Sequence, residues 1–360
     1  MNLGHGGNVE EISRLHNIDA EKIIDFSANI NPLGISNEVK KQMINALDKI
    51  ERYPDITYYE LKKSLEEYEN VDINNIVLGN GAAEVIFNIT RALKPKNALI
   101  PAPTFSEYED ALNAVDCKVN HYKLNNDFQL DTGFINEIKQ GVDIIFICNP
   151  NNPTGVLTSK EYITEVIKKS KEVNATLVVD ESFLDFIAEK DQYSVINLTK
   201  EFDNLIVVKS LTKFFAFPGI RVGYGITSNL SYIDNINKIA VPWAINTVAA
   251  FGAKVALNQK EYIKESIQYV KTENEFLFNG LNEFKDLKVY KGAVNFIFFK
   301  VNKEIDLKQE LIKQGVLIRS CDNYIGLESG YYRVAVRTRE ENIKLLDGLR
   351  HNQINNRPLC

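Results

Sequence analysis

The chain contains few cysteines, and none of them lie close together. The four cysteines form no C-x-x-C pair and no His/Cys cluster: Cys117, Cys148, Cys321 and Cys360. A structural zinc site needs such ligands at short, regular spacing, so we predict no metal site. Isolated cysteines are typical of proteins that keep reduced thiols, which predicts a cytoplasmic location.

Excess positive charge is also absent. The chain has 42 Lys and Arg against 48 Asp and Glu, which gives a formal net charge of -6, and no dense basic block. Nucleic-acid binding requires a basic face, because the phosphate backbone supplies most of the affinity. We therefore predict no nucleic-acid partner.

Long uninterrupted apolar runs are missing as well. Met1–Asn8 is rich in Gly and Asn and has no apolar core, so no secretory signal is expected. The most membrane-like stretch, Ile239–Leu257, contains Pro242 and Lys254. This stretch is predicted to be a buried helix, and no membrane partner is expected.

Apolar strands alternate with amphipathic helices through most of the 360 residues. The clearest strands are buried runs rich in β-branched residues: Asp143–Cys148, Thr176–Val179 and Leu205–Val208. This alternation predicts an α/β fold with a mostly parallel central sheet. We predict a large α/β domain over residues 36–257, a small α+β domain over residues 258–360, and an N-terminal arm, residues 1–35, that joins the small domain.

Two helix starts carry the spacing of a capping box, in which a hydroxyl and a carboxylate satisfy the first backbone amides. Thr57 and Glu60 form one such pair, and Thr104 and Glu107 form the other. We therefore expect helices to be capped by Thr57 and by Thr104.

A turn rich in aromatic residues follows the strand Leu205–Val208. It carries Lys213 between Ser210 and Arg221. A desolvated lysine near other cations loses its proton readily, and the neutral amine is the form that attacks an aldehyde. The pattern favours a Schiff-base lysine beside a phosphate cup, as pyridoxal phosphate requires. A solvated Lys–Arg pair on a surface loop is the alternative.

Two other strands end in polar groups of the kind this cofactor needs. Asp180 ends a buried strand, where it would pair with a protonated ring nitrogen or serve as an ordinary helix cap. Asn152 lies in the turn Asn149–Gly155, where it would donate to a phenolate oxygen or only shape the turn.

A glycine turn between a strand and a helix offers an anion site. Gly81, Ala82 and Ala83 open the helix, and its free backbone N–H groups would hold a monophosphate. The third glycine of a dinucleotide fingerprint is missing, which disfavours binding of a nicotinamide cofactor.

The small domain supplies two arginines after short strands, Arg319 and Arg333. Guanidinium groups pair well with carboxylate and phosphate, so two of them suit a substrate with two anionic groups. Surface arginines at strand ends are the alternative. By itself, His5 in its glycine-rich segment would be a mobile surface histidine.

Taken in order, these motifs resemble those of the fold-type I, class I/II aminotransferase superfamily of pyridoxal-phosphate enzymes. The resemblance covers nearly the whole chain and implies a homodimer with shared active sites. It implies that Lys213 is the catalytic Schiff-base lysine. It implies a set of cofactor-binding residues: Gly81, Ala82, Ala83, Phe105, Asn152, Asp180, Phe183, Ser210, Lys213, Arg221 and, from the partner subunit, Tyr53.

Two branches of the superfamily compete: threonine-phosphate decarboxylases and histidinol-phosphate aminotransferases. The segments His5–Asn8, Asp25–Gly34 and Pro242–Asn246 resemble the decarboxylases. Phe183 stands where most aminotransferases place Tyr, and the decarboxylases share that substitution. The resemblance implies that substrate is held by a second set of residues: His5, Asn29, Asn152, Arg319 and Arg333.

The resemblance therefore implies a phosphorylated amino-acid substrate and decarboxylation of threonine phosphate in cobalamin biosynthesis. Transamination of histidinol phosphate with 2-oxoglutarate is the alternative. The two reactions differ in which bond at Cα is set perpendicular to the cofactor ring. A non-enzymatic cofactor-binding regulator is disfavoured, because Lys213, Asp180 and Arg221 are all present.

Overall fold

The strands of the computed structural model belong to three sheets. The structure describes residues 6–352. Within that range the strands, in chain order, are β1 (Ile24–Asp25), β2 (Ile76–Gly79), β3 (Asn97–Ala102), β4 (Lys118–Lys123), β5 (Ile144–Cys148), β6 (Thr176–Asp180), β7 (Leu205–Ser210), β8 (Gly223–Ile226), β9 (Leu287–Tyr290), β10 (Phe296–Val301), β11 (Val316–Leu317), β12 (Arg319–Ser320) and β13 (Tyr331–Ala335).

The α-helices lie mostly between these strands. In chain order they are α1 (Val9–His16), α2 (Asn37–Ala46), α3 (Tyr59–Glu69), α4 (Ala82–Leu93), α5 (Glu107–Asn113), α6 (Thr132–Glu137), α7 (Lys160–Glu172), α8 (Leu211–Phe214), α9 (Leu230–Ile239), α10 (Thr247–Ala256), α11 (Lys260–Asn282), α12 (Leu307–Ile312) and α13 (Arg339–His351). None of the helices in this range is long and apolar enough to cross a membrane.

The large sheet has the strand order β2-β8-β7-β6-β5-β3-β4. Every residue of β5, β6 and β7 is buried, as expected for central strands covered by helices on both faces. These three strands are parallel, so their C-terminal ends meet at one edge of the sheet. Only β8 in this sheet runs antiparallel to its neighbours, which agrees with the predicted mostly parallel α/β sheet.

A smaller antiparallel sheet, in the order β12-β13-β10-β9, lies in the C-terminal part of the chain. Its apolar face packs against α11 and α13 through residues such as Phe299, Leu281 and Leu345. The pairing of β12 with β13 places Arg319 directly opposite Arg333.

The N-terminal segment joins this smaller region to the centre of the molecule. Strand β1 pairs in parallel with β11, and Phe26 is buried in the same apolar core as Phe299. The amide of Ala335 donates to Phe26 O at 2.8 Å. Five residues later, the amide of Asn31 donates to Lys213 O at 3.1 Å. The predicted domain boundaries at residues 35 and 257 remain a prediction.

The two predicted capping boxes are wrong. At the start of α3, Asp55 Oδ1 accepts from the Thr57 amide at 2.9 Å and Asp55 Oδ2 accepts from the Tyr59 amide at 3.0 Å. The Thr57 hydroxyl donates to Asp55 instead of capping the helix. Helix α5 begins at Glu107 after Ser106, without a side-chain cap. A nearby carboxylate thus replaces the predicted cap in one case.

The predicted single helix over Ile239–Leu257 is also wrong. Helix α9 ends at Ile239, and α10 begins only at Thr247. Asn246 Oδ1 caps α10 by accepting from the Ala249 amide at 2.8 Å. An asparagine cap therefore decides the boundary inside a largely apolar stretch.

Candidate active site

The cavity at the C-terminal edge of the large sheet has a volume of about 660 Å³. Its walls come from the N-terminal segment, the large sheet and the β12–β13 pair. Twelve of the predicted site residues line it: Asn29, Ala82, Ala83, Phe105, Asn152, Asp180, Phe183, Ser210, Lys213, Arg221, Arg319 and Arg333. The fold thus gathers residues that are far apart in sequence into one concave site.

Lys213 reaches this cavity from α8, which follows β7 without a break. Its side chain is half-buried. Burial lowers the pKa of Lys213, the charges of Arg221 and Arg333 lower it further, and Asp180 opposes them, so that the pKa lies at about 8. A fraction of the amine is therefore neutral near physiological pH, which is the state a nucleophile requires.

Arg221 and the start of α4 form a cradle for an anion. Arg221 and Gly81 both have left-handed backbone conformations, with φ of 64° and 89°. A Cβ at Gly81 would lie 2.2 Å from Arg221 Nη2, and one at Gly223 would lie 2.2 Å from the Ala82 amide nitrogen. Glycine at both positions therefore lets a guanidinium approach the N-terminus of a twelve-residue helix.

Ser210 and Thr212 add two hydroxyls to this cradle. Their side-chain oxygens are hydrogen bonded at 2.8 Å, and both residues line the cavity. Thr212 is a residue that the sequence analysis did not assign. The backbone amides, one guanidinium and two hydroxyls together suit a phosphate group.

Asp180 is buried at the end of β6, and each of its carboxylate oxygens accepts a hydrogen bond from the protein. Tyr108 donates to its Oδ2 at 2.8 Å, and the Ser182 amide donates to its Oδ1 at 2.9 Å. Burial raises the pKa of Asp180, whereas the bonds from Ser182 and Tyr108 and the charge of Lys213 lower it. The two donors therefore favour a carboxylate that burial alone would disfavour.

Tyr108 is the residue that the sequence analysis missed at this end of the cavity. It is fully buried and stacks on Phe146, with ring centroids 5.0 Å apart. It also meets the edge of Phe105 at 5.6 Å. Its place three residues after Phe105, in the first turn of α5, is the signal that could have identified it.

Phe183 presents a ring and no hydroxyl to the cavity. It packs edge-on against Phe296 at 5.1 Å. This position therefore offers no phenol hydroxyl to a ligand bound in the cavity.

Arg333 is held in place on two sides. Its side chain is only 5% exposed, and its Nη2 donates to Ser27 O at 2.8 Å. Its Nη1 donates to Asn152 Oδ1. Among the described residues, Arg333 Nε and Asn29 Oδ1 are buried polar atoms without a hydrogen-bond partner. Such atoms are uncommon in native interiors and mark places where a ligand completes the bonding.

Arg319 enters the same cavity from the strand beside Arg333. Its Nη2 donates to Asn323 Oδ1 at 2.7 Å, and its guanidinium lies 5.4 Å from the centre of the Tyr324 ring. Tyr324 itself lines the cavity and was not assigned from sequence. No local pattern signals it, because it lies in an irregular loop.

Two predicted site residues that the structure describes do not line the cavity, and a third lies outside the described range. Gly81 lies behind Arg221, which covers it. Tyr53 is 80% exposed and stacks on Trp243 with ring centroids 4.6 Å apart. His5 lies outside the described residues.

A second lysine, Lys209, is buried behind the site on β7. Its Nζ lies 2.8 Å from Glu69 Oε1 and 3.1 Å from Asp185 Oδ1. Burial alone would lower its pKa, but Asp185 and Glu69 raise the pKa of Lys209 well above its usual value. This lysine is a permanently charged structural group, in contrast to Lys213.

Residues 21–349 match the family model for aminotransferase class I and II. A threonine-phosphate decarboxylase of Salmonella typhimurium is 37% identical over 354 residues, which cover 98% of this chain and 97% of that protein. These matches confirm the resemblance seen in the sequence motifs.

Two solved structures share the fold over almost the whole chain. The histidinol-phosphate aminotransferase from Clostridium acetobutylicum has a TM-score of 0.86 and 33% identity, over 91% of this chain and 98% of that one. The L-threonine-O-3-phosphate decarboxylase from Porphyromonas gingivalis has a TM-score of 0.82 and 25% identity, over 92% and 99%. The chain belongs to the class I and II aminotransferase family of pyridoxal-phosphate-dependent enzymes.

Proposed function

We propose that the chain decarboxylates L-threonine O-3-phosphate, giving 1-aminopropan-2-ol O-phosphate and CO2, a step of cobalamin biosynthesis. The 37% identity to a threonine-phosphate decarboxylase over 98% of the chain supports this assignment. The site geometry supports it independently through the charges that face the cavity.

The observation that carries the proposal is the pairing of Arg319 with Arg333. These residues are direct cross-strand partners, and both line the cavity. Like charges directly opposite one another destabilise a sheet. An arrangement of this kind is favourable when anions neutralise both guanidinium groups. Threonine phosphate carries two such anions, a carboxylate and a phosphate.

The residues present fit pyridoxal phosphate. The cradle formed by Gly81, Arg221 and the Ala82 amide would hold its phosphate, together with Ser210. Asp180 would keep a proton on the ring nitrogen, and Lys213 would hold the aldehyde carbon. Once bound, the cofactor supplies an electron sink for the bond that breaks at Cα.

Two further cavity residues would contact the cofactor ring. Phe105 lines the cavity beside Tyr108 and would stack on the ring. Since Asn152 Oδ1 accepts from Arg333, its amide nitrogen is the group left to donate to the ring oxygen.

Arg333 would choose the reaction by orienting the substrate. Its guanidinium is fixed by Ser27 O and Asn152, so a bound carboxylate has a defined direction. Decarboxylation requires the Cα–carboxylate bond to stand perpendicular to the ring. Lys213, with its lowered pKa, then holds the proton that is delivered to Cα. Asn29 and Arg319 would bind the phosphate, together with His5 from the partner subunit.

Transamination is the second candidate function. The structural likeness to the histidinol-phosphate aminotransferase from Clostridium acetobutylicum, with a TM-score of 0.86, favours it. In that case Lys213 would remove the Cα proton, and Arg319 and Arg333 would bind 2-oxoglutarate in the second half of the reaction. The same residues serve both reactions, so substrate turnover must decide.

The test is to incubate the purified protein with pyridoxal phosphate and L-threonine O-3-phosphate and to measure CO2. We expect CO2 release without any 2-oxo acid, and none from Lys213→Ala. Absence of CO2, together with turnover of histidinol phosphate that depends on 2-oxoglutarate, would establish the aminotransferase instead.

We also propose a homodimer with shared sites. Large apolar side chains are exposed in and after α2 and in the loop before α10, and Tyr53 and Trp243 connect the two regions: Ile44, Leu47, Ile50, Tyr53, Ile56, Val241 and Trp243. A patch of this extent is typical of an interface between subunits, and Tyr53 would reach the partner's cofactor phosphate from it. Light scattering should give twice the mass of the chain, and Trp243→Glu should give a monomer.

A cytoplasmic location completes the proposal. Within the described residues, Cys117, Cys148 and Cys321 are free and buried. Free buried thiols are typical of proteins kept in a reducing compartment. No group of three potential metal-ligating side chains is found within residues 6–352, and the absence of a metal remains a prediction.

A further inference from the structure

Tyr324 occupies an unusual position in the loop between β12 and β13. Its neighbours Asn323 and Ile325 are exposed, but Tyr324 is 8% exposed and its ring points inward. It packs in an aromatic cluster with Phe128 and Phe298. The loop therefore delivers one aromatic side chain to the wall of the cavity.

Backbone contacts of the loop fix the position of the Tyr324 ring. Gly326 has a φ of 86°, and a Cβ there would lie 3.2 Å from Ala102 O at the end of β3. The Tyr324 amide donates to Cys321 O at 3.0 Å, and the Leu327 amide donates to Tyr324 O at 3.1 Å. The turn is thus closed on itself and docked on the large sheet.

On one side, the Tyr324 ring supports Arg319. The guanidinium lies over the ring at 5.4 Å, within the range of a cation–π contact, and its Nη2 is anchored by Asn323 at 2.7 Å. The ring and Asn323 together fix the direction of the guanidinium plane.

On the other side, the Tyr324 hydroxyl faces the group that holds Arg333. It lies 3.5 Å from Asn152 Oδ1, which is the acceptor for Arg333 Nη1. Burial raises the pKa of Tyr324, while the nearby charges of Arg333 and Arg319 lower it. Tyr324 therefore contacts Arg319 directly and is linked to Arg333 through Asn152.

We propose that the Tyr324 ring is a specificity-determining spacer between Arg319 and Arg333. It sets the separation of the groups that bind phosphate and carboxylate, so the site selects α-amino acids whose phosphate ester is on the β-carbon. This inference rests on the proposed function, in which Arg333 binds the carboxylate and Arg319 the phosphate. An amino acid with one more methylene between its two anions would be excluded by the ring.

The test compares O-phospho-L-serine with O-phospho-L-homoserine, which differ by one methylene in that spacing. Dissociation constants are measured from the change in cofactor absorbance on titration of the loaded protein. We expect the natural protein to bind phosphoserine ~10- to 100-fold more tightly, the usual effect of one methylene in a fitted site. In Tyr324→Leu this ratio should fall to within ~3-fold of unity, whereas Tyr324→Phe should retain it.

Tyr331→Leu is the matched control, because Tyr331 stacks on Phe298 in the same cluster but does not line the cavity. It should leave the ratio unchanged. A Tyr324→Leu protein with the natural melting temperature, cofactor spectrum and ratio would overturn the proposal, as would an equal loss in Tyr331→Leu. The affinity ratio is measured whether or not CO2 is released, so failure of the proposed function is a separate result.

Discussion

Two lysines four positions apart on the same strand and turn have opposite electrostatic surroundings. Lys209 and Lys213 are both enclosed by protein, and burial alone would lower the pKa of each. Glu69 and Asp185 raise the pKa of Lys209, whereas Arg221 and Arg333 keep that of Lys213 low, at about 8. The charges of the neighbours, rather than burial, decide which lysine is structural and which is chemically reactive.

The largest effect is expected from Lys213→Ala. Without the amine, the protein cannot hold the cofactor aldehyde covalently or move a proton at Cα, and activity should fall ~10⁴-fold, the upper range for a positioned acid–base group. The measurements are the absorbance of the lysine-bound cofactor and CO2 release. A variant that kept that absorbance would show that Lys213 is not the cofactor lysine.

Lys209→Met should act on stability rather than on chemistry. It leaves buried Glu69 without its cation and Asp185 with Lys190 as its remaining cation, which costs about 3–5 kcal/mol in free energy of unfolding. Urea unfolding measures the loss of stability. The folded fraction of the variant should retain the cofactor absorbance of the wild-type protein. If Lys209→Met had wild-type stability but lost the cofactor absorbance, the roles assigned to the two lysines would be reversed.

Arg333→Gln should weaken substrate and also change Lys213. Loss of the guanidinium group that pairs with the substrate carboxylate should raise KM roughly 30- to 1,000-fold, equivalent to about 2–4 kcal/mol. Removing a cation favours protonated Lys213, so its pKa should rise above about 8. The measurement is the pH dependence of pyridoxal-phosphate binding to cofactor-free protein. Because binding requires the neutral amine of Lys213, it increases as the pH rises through the pKa of that amine.

The control for this prediction is Arg333→Lys, which retains the charge and loses the fork. Its capture midpoint should stay near that of the natural protein, while its KM rises. An unchanged midpoint in Arg333→Gln would contradict the assigned effect of Arg333 on Lys213.

The smallest effect is expected from Tyr108→Phe. The change removes a hydrogen bond that favours ionised Asp180, so the pKa of Asp180 should rise and the acid limb of the pH–rate profile should move to higher pH. The expected loss at neutral pH is about 1–2 kcal/mol, or roughly 10-fold. Phe146→Leu, a packing change beside Tyr108, should lower stability without moving that limb.

One part of the cavity could be predicted because three of its residues follow recognisable strands. Asp180, Ser210 and Asn152 come at or just after the C-terminal ends of buried parallel strands, and such ends share one edge of a sheet. Pattern and position were therefore sufficient to bring these three residues to one edge, but not to identify Tyr108 and Thr212 beside them. The α/β fold was predictable for the same reason, since its strands are continuous buried runs.

The substrate end depends on information that a local pattern does not contain. Arg319 and Arg333 meet through the register of two antiparallel strands, and Tyr324 reaches them from the loop between. The helix boundaries failed for a related reason: at α3 a carboxylate at Asp55 outcompeted the predicted Thr57 cap. In both cases neighbouring groups in space or in the turn determined the outcome.

The pairing of β1 with β11 has a consequence for how the molecule is made. Synthesis proceeds from the N-terminus, and Ile24 must wait for Val316 before it can pair. Ser27 O likewise accepts a hydrogen bond from Arg333 only after that residue, 306 positions later, has emerged. Strand β1 is thus made well before its partner strand, and the walls of the cavity come together only after β13 has been made.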